Sequence, residues 1–231
     1  MFARSKKSSE VLALTPIPDV EKPMKLVGPW LSGFTRRTGI TMQLLGIPFE
    51  HLNLNAYTEK EEVRRYSPMG KVPALVLDNG EVLIDSAGII DLLHEMAGPG
   101  KALIPPSGAA RLKALRLIGI GLNIYPKLTA LFDESLRPEN YRLQAAIDGF
   151  AEQAIIGLKL LEAEAGDGWL VNDKLSQADI MAVVCYQGAS MLVLRDHVTA
   201  KDFPHLAALT ARAMKIEAFA STVPLGIGAE L

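Results

Sequence analysis

The sequence is short of several things, and each shortage removes a class of function. It has one cysteine in 231 residues. No internal disulfide framework can form, so a reducing cytoplasm is the expected compartment. No apolar run approaches the roughly 18 residues that a membrane span needs. The patch "VLAL" at residues 11–14 is about half the minimum length of a secretory core, and no small-residue cleavage pattern follows it. Neither sign of charge dominates. The net charge is −2, without a long block of like charge or a basic surplus to draw nucleic acid. The four histidines are scattered. "HEMAG" begins like the zinc motif His-Glu-x-x-His, but Gly98 stands at the second ligand position, so no metal is expected. "GASML" around Ser190 lacks the second glycine of a nucleophile elbow. "GIGLNI" from Gly119 lacks the last glycine of a dinucleotide fingerprint and has no strand before it.

What remains is ordinary for a globular chain: 49% hydrophobic and 22% charged residues, with ample length for one large or two small domains. Residues 1–23 mix Ser, Lys and Pro and read as a flexible extension, an upstream start or a cloning scar. From Met24 the signals alternate. "MKLVG" is a strand, and "TRRTGITMQLLG" a helix with Ile40, Leu44 and Leu45 on one face. "IPFEHLNL" is a second strand and "TEKEEVRRY" a short charged helix. Residues 72–77 and "EVLID" form two strands joined at Asp78-Asn79-Gly80. Ser86 then caps the helix "AGIIDLLHEM". A crossover helix makes the first strand pair parallel, and the tight turn makes the last pair antiparallel. Residues 24–98 are therefore expected to form a compact α/β domain.

After a linker at 99–106 no further strand is visible, and residues 107–231 are expected to be all-helical. Helices are predicted over 111–132, over 138–166 with Pro138 at the start and Gly166 at the end, over 173–194, and over 204–216. The third is almost wholly apolar and so central. Its start, "LSQADI", is a capping box, with Ser176 as cap, Asp179 three residues on, and Leu175 and Ile180 in the staple positions. Cys185 on this helix reads as a small buried hydrophobe.

Pro73 poses the functional question, because it begins a strand without an amide hydrogen to give. A trans proline there protects a sheet edge. A cis bond instead turns the Val72 amide and carbonyl outward, where an extended peptide can pair with them. "DSAG" at residues 85–88 places Ser86 and a helix start near the same edge, a ready carboxylate site. Ser32, in "GPWLSGFTRR", falls where the first helix begins.

The strand order, "SPMGKVPAL", "DSAG" and "LSQADI" together resemble a cytosolic glutathione S-transferase over residues 24–219. The resemblance implies a thioredoxin-like domain followed by an all-helical one. It implies glutathione as co-substrate, held by Lys71, Val72, a cis Pro73, Asp85 and Ser86, with no metal. Asp85 stands where the family more often has Glu or Gln, and Ser67 where it commonly has Asn. Ser32 matches the family's active serine or cysteine. "SGFT" replaces both cysteines of the ancestral Cys-x-x-Cys, which excludes dithiol chemistry at this loop. Ser32 is then either a plain helix cap or a hydrogen-bond donor to the glutathione thiolate, helped by the helix dipole. Lowering a thiol pKa by two units takes roughly 2.7 kcal/mol, about what one charge-assisted hydrogen bond and a helix terminus supply. Trp30 and Tyr125 are candidate walls of a hydrophobic acceptor site, while Tyr125 on its helical stripe also suits a core. Arg36 and Arg37 suit a solvated or interdomain place better than a ligand. The expected activity is conjugation of glutathione to a small apolar electrophile by a cytoplasmic homodimer engaged in detoxification, the dimer meeting through "AGIIDLLHEM" and the first bundle helix. The alternative is a glutathione-binding relative with little or no transferase activity, motivated by Pro29 and Trp30 before the serine.

Overall fold

The computed structural model describes residues 23–224. The expected extension over residues 1–23 therefore lies outside the described residues except for Pro23, as do residues 225–231. Strand β1 (Met24–Val27) leads through a short loop into helix α1 (Gly33–Leu45). The helix stops at Gly46, whose φ of 70° is the left-handed conformation that glycine adopts without penalty. Then follow β2 (Phe49–Leu52), α2 (Lys60–Arg64), β3 (Ala74–Val76), β4 (Val82–Ile84) and α3 (Ser86–Ala97). The strands form one sheet in the order β2-β1-β3-β4, with β1 parallel to β2 and the other two pairings antiparallel. Leu26 and Leu75 stand opposite each other in register. With Met42, Ile89 and Leu93 they are fully withdrawn from water. Each such side chain contributes about 1.5–3 kcal/mol.

The rest is helical: α4 (Gly108–Ser135), α5 (Gln144–Glu164), α6 (Gln177–Gly188), α7 (Pro204–Ala213) and α8 (Glu217–Ala220). Every residue of α6 is buried, as expected of the central helix. Its capping box forms, with the Ser176 amide and hydroxyl both donating to Asp179 Oδ2 at 2.8 Å. The other carboxylate oxygen accepts from the Leu170 amide at 2.7 Å, a tie to the preceding loop that no local pattern announces. The two halves meet along α1, which packs on α3 in its own half and on α6 in the other. Gln177 bridges them, donating from its amide nitrogen to the Leu103 carbonyl and from Nε2 to Thr41 Oγ1, each at 2.7 Å.

Three local expectations need correction. Asp85, not Ser86, caps α3: its carboxylate accepts from the Ala87 amide at 2.7 Å, and Ser86 is the first helical residue. The long helix over 138–166 is broken, with a 3-10 turn at Glu139–Tyr141 and α5 beginning only at Gln144. At the break Arg142 reaches back to the carbonyl of Ser135, the last residue of α4, at 2.9 Å and to that of Arg137, just beyond the helix, at 3.0 Å. The helix expected over 173–194 ends as a regular one at Gly188 and loosens into a π turn at Ala189–Val193.

Candidate functional site

Ser32 leaves β1's loop in an extended conformation and becomes the N-cap of α1. Its Oγ accepts a hydrogen bond from the Thr35 amide at 3.3 Å, and its own amide donates to the Pro29 carbonyl at 3.0 Å. A serine hydroxyl has two lone pairs and one proton. Capping occupies a lone pair, so the proton stays free for another acceptor. Cap and donor are thus compatible roles for one group.

This hydroxyl lies on the wall of a cavity of about 510 Å³ between the two halves. The first half contributes Leu31, Ser32, Phe34, Tyr57, Lys71 and Val72, and the second Tyr125, Leu128, Phe132, Asp133, Leu192 and Val193. The Val72–Pro73 peptide bond is cis. Among the described residues no hydrogen bond reaches the Val72 amide or carbonyl. The cavity therefore offers an unpaired stretch of backbone, a free hydroxyl proton at a positive helix end, and an apolar far wall. Such a site can take an extended peptide by strand addition and a nonpolar partner beside it. Ser67, fully buried, accepts from the Lys71 amide at 3.3 Å and braces the turn before Val72.

Of the residues singled out in the sequence, Ser32, Lys71, Val72 and Tyr125 line this cavity. Pro73 is buried and does not line it. Asp85 and Ser86 sit at the start of α3, off the cavity wall, with Asp85 exposed and at a φ of 76°. Trp30 is not brought to the cavity. Its ring stacks on His51 with centroids 3.7 Å apart and fills a notch over Gly39, where a Cβ would stand 2.5 Å from it. The same loop presents Pro29 and Leu31 to the cavity instead. His51 Nε2 bonds to the Gly28 carbonyl at 2.7 Å, and burial holds the imidazole below its usual pKa.

Tyr125 lies deeper than an acceptor wall would require, at 6% exposure. Its hydroxyl accepts from the Gly33 amide at 2.7 Å and donates to the Leu31 carbonyl at 3.3 Å. Burial is the main cause that pushes the phenol up to about 12. Arg36 and Arg37 are both buried and lie in the interdomain layer. Arg36 donates to the Phe219 carbonyl and Thr222 hydroxyl at 3.4 Å. Burial lowers both guanidinium groups to about 10, so both stay charged at neutral pH. Cys185 is buried and its thiol is pushed up by desolvation, as suits an inert core residue.

Sequence reasoning missed the far rim. Tyr57 donates its hydroxyl to Asp133 at 2.6 Å, and its ring meets Phe132 edge-on at 5.7 Å, joining the halves across the opening. Lys60 also lines the cavity, and neither its ammonium nor that of Lys71 has a carboxylate partner among the described residues. Tyr57 lies in a loop, Lys60 is the first residue of α2, and 132–133 fall in the last turn of α4, so no local periodicity marks them as one rim. Among the described residues no cluster of three or more His, Cys, Asp or Glu is placed to hold a metal. No helix there is long and apolar enough to cross a membrane.

Comparison with known proteins bears on this arrangement. Residues 26–101 match the family described as "Glutathione S-transferase, N-terminal domain", and residues 143–221 match "Glutathione S-transferase, C-terminal domain". The chain is 29% identical over 201 residues to the "Uncharacterized GST-like protein YibF" of Escherichia coli (strain K12), covering 87% of this chain and 98% of that one. It is 30% identical over 168 residues to a maleylacetoacetate isomerase of Pseudomonas aeruginosa, covering 69% and 78%. A crystal structure of a glutathione S-transferase from Methylobacterium radiotolerans, in complex with glutathione sulfonate, superimposes with a TM-score of 0.82 at 25% identity, covering 89% and 96%. With its small mixed sheet, thioredoxin-like first half and helical second half, this chain belongs to the cytosolic glutathione S-transferase superfamily.

Proposed function

We propose that the protein is a glutathione transferase in which Ser32 stabilises the glutathione thiolate for addition to a small, largely apolar electrophile. The observation that carries this reading is the Ser32 hydroxyl on the cavity wall, its lone pair engaged by the Thr35 amide and its proton free, with the unpaired Val72 backbone lining the same cavity. Val72 pairs with the cysteinyl backbone of glutathione. Lys71 takes a carboxylate of the tripeptide. Asp85, with one carboxylate oxygen not used in capping, and Ser86 take the γ-glutamyl end. The sulfur then points at Ser32, and the nucleophile belongs to the ligand. The electrophile occupies the wall formed by Leu128, Phe132, Leu192 and Val193. Trp30 has no part in this site.

The test is a titration of bound glutathione by thiolate absorbance, paired with a conjugation assay against a panel of electrophiles. Ser32→Ala is expected to raise the thiol pKa by about one to two units and lower turnover in step. An unchanged thiol pKa would remove Ser32 from the chemistry, and binding without turnover in the wild type would leave only the glutathione-binding alternative.

A second reading draws on Lys60 and Lys71, two cations on the cavity wall without a carboxylate partner among the described residues, and on the relative named maleylacetoacetate isomerase. Here the thiolate adds to the carbon–carbon double bond of an unsaturated carboxylate, the resulting single bond rotates, and the thiolate leaves again. Glutathione is then regenerated. Conversion of a cis-unsaturated acid to its trans isomer without loss of thiol would distinguish this from conjugation.

The protein acts in the cytoplasm as a homodimer. Leu112 and Leu115 on α4 and Val82 and Ile84 on β4 are exposed apolar side chains that support such an interface. The helix α3 contributes less than its sequence suggests, because Ile89, Ile90 and Leu93 are turned inward. Light scattering on Leu112→Glu/Leu115→Glu is expected to show a monomer where the wild type shows a dimer; a wild-type monomer would overturn the assignment.

A further inference from the structure

We propose that Tyr125 is a positioning residue for Ser32, through which the helical half of the protein sets the direction of the active hydroxyl. The proposal rests on the role given to Ser32 above. The phenol accepts from the amide of Gly33 at 2.7 Å and donates to the carbonyl of Leu31 at 3.3 Å, and these are the residues immediately before and after Ser32. The serine is thus bracketed by one side chain 93 positions away in sequence, the spacing being 125 − 32.

The ring has little freedom to stand elsewhere. It meets Phe34 edge-on with centroids 5.1 Å apart. Gly33 lies so close that a Cβ there would stand 2.2 Å from the ring, and a Cβ at Gly188 would come to 3.0 Å from it. The slot that receives it is therefore built from two glycines, one in each half of the chain. The single phenolic proton is committed to Leu31, and a pKa raised to about 12 by burial keeps it in place. Tyr125 consequently has no hydrogen left for a ligand and acts only through the loop.

Its effect follows from hydrogen-bond accounting at a helix start. The first amides of α1 seek acceptors; Ser32 Oγ can reach the Thr35 amide, at the third helical position, but not the amide of Gly33, which directly follows it. The phenol supplies the acceptor that the Gly33 amide would otherwise lack, while Oγ accepts from the Thr35 amide, and the peptides on both sides of Ser32 are thereby held. One cap geometry results, and the hydroxyl proton is left free on the cavity side. Without the phenol the Gly33 amide and the Leu31 carbonyl are both buried and unmatched, and the peptides flanking the serine are free to rotate.

The experiment compares Tyr125→Phe, which keeps the ring and its contacts, with Ser32→Ala in the glutathione-bound protein. Thiol pKa is read by thiolate absorbance, and kcat/KM is followed from pH 5.5 to 8.5. Tyr125→Phe is expected to raise the thiol pKa by about half a unit to one unit and to lower kcat/KM roughly three- to tenfold on the acid side. Glutathione affinity is expected to stay within about twofold, since no ligand contact is lost. A lowered melting temperature with an unmoved thiol pKa makes the tyrosine a structural strut and overturns the proposal alone. A Ser32→Ala protein with unmoved thiol pKa, or a wild type that takes up no glutathione, overturns the role of Ser32 together with it. Should Tyr125→Phe fail to accumulate, amide hydrogen exchange on the wild type decides. The Gly33 amide must exchange far more slowly than a helix-start amide open to solvent, and free exchange there refutes the bracket.

Discussion

Gly33→Ala adds one methyl group to the first residue of a helix, where alanine is ordinarily the better helix former. Here it is expected to be severely destabilising. The new Cβ would stand 2.2 Å from Tyr125 Cε2 and Cζ and 2.6 Å from its hydroxyl oxygen. Carbon atoms settle at roughly 3.5–4 Å, so the ring must retreat by more than an ångström. Phe34 and Gly188 stand in its way, and retreat breaks the bond between the Gly33 amide and the phenol. Overpacking a core costs about 1–3 kcal/mol, and a buried donor left unmatched about 1–3 more. A total near 3 kcal/mol lowers the melting temperature of a chain this long by about 6–12 °C. The control is Gly149→Ala within α5, where nothing lies within 4 Å of the added atom. That change should raise stability by about 0.5–1 kcal/mol, so the same chemical substitution takes opposite signs at the two places. Scanning calorimetry at one protein concentration measures both. In a Tyr125→Ala background the cost of Gly33→Ala should largely vanish, because the two residues compete for one space. A fall of less than about 2 °C for Gly33→Ala, or the same penalty with and without the tyrosine ring, would falsify the reasoning.

Burial is the leading cause that holds both His51 and His94 below the ordinary histidine value of 6.5. The unfolded chain therefore protonates first as pH falls, and stability present above about 6.5 is lost as pH drops through the folded values. Melting temperature should decline from pH 7 to pH 5, and His51→Phe/His94→Leu should flatten that slope; an unchanged slope assigns it to other groups. Asp179→Ala removes the acceptor of three buried hydrogen bonds, from the Leu170 amide and from the Ser176 amide and hydroxyl. Urea unfolding should show a loss of about 3 kcal/mol, and a loss below 1 kcal/mol would mean that water replaces the carboxylate. Tyr57→Phe cuts an exposed bond to Asp133 at the cavity mouth. It should leave stability within about 0.5 kcal/mol, while the KM for the electrophile shifts measurably; an unmoved KM places the pair outside the acceptor's path.

Much of this molecule is legible along the chain. The succession of strands and helices in the first half and two of its three strand pairings follow from alternating periodicity and the Asp78-Asn79-Gly80 turn, and the start of α6 from Ser176 and Asp179, because those signals are local. The β1–β3 pairing is not local and was not read. The α3 cap was misplaced by one residue for a reason that is also local: Asp85 and Ser86 are both good caps, and only the backbone at φ 76° shows which one turns. The α5 start was misplaced because Arg142 answers to carbonyls at and just past the end of the preceding helix, and periodicity does not register such a debt. At the site, Ser32, Lys71 and Val72 carry recognisable neighbours in sequence. Trp30 was expected on the cavity because it adjoins the serine, but the direction of a side chain in a loop depends on what it stacks against, in this case His51. Tyr125 was visible as a residue and not as a role. The two peptides that its hydroxyl joins lie far upstream, and only folding brings them within 3.3 Å.

The placement of α1 has a consequence for the integrity of the whole. It is flanked by α3 on one side and by α6 on the other, and Arg36, Thr41 and Gly33 on its second face are matched by Phe219, Gln177 and Tyr125. Truncation after Ala97 would strip that face of its matches and leave guanidinium groups, a hydroxyl and an open amide beside bare hydrocarbon. Removing the leading segment would strip α6 in the same way. The two lobes are thus separable on paper and interdependent in solution. Denaturation should accordingly be a single concerted event, with the crevice between the lobes persisting for as long as both do.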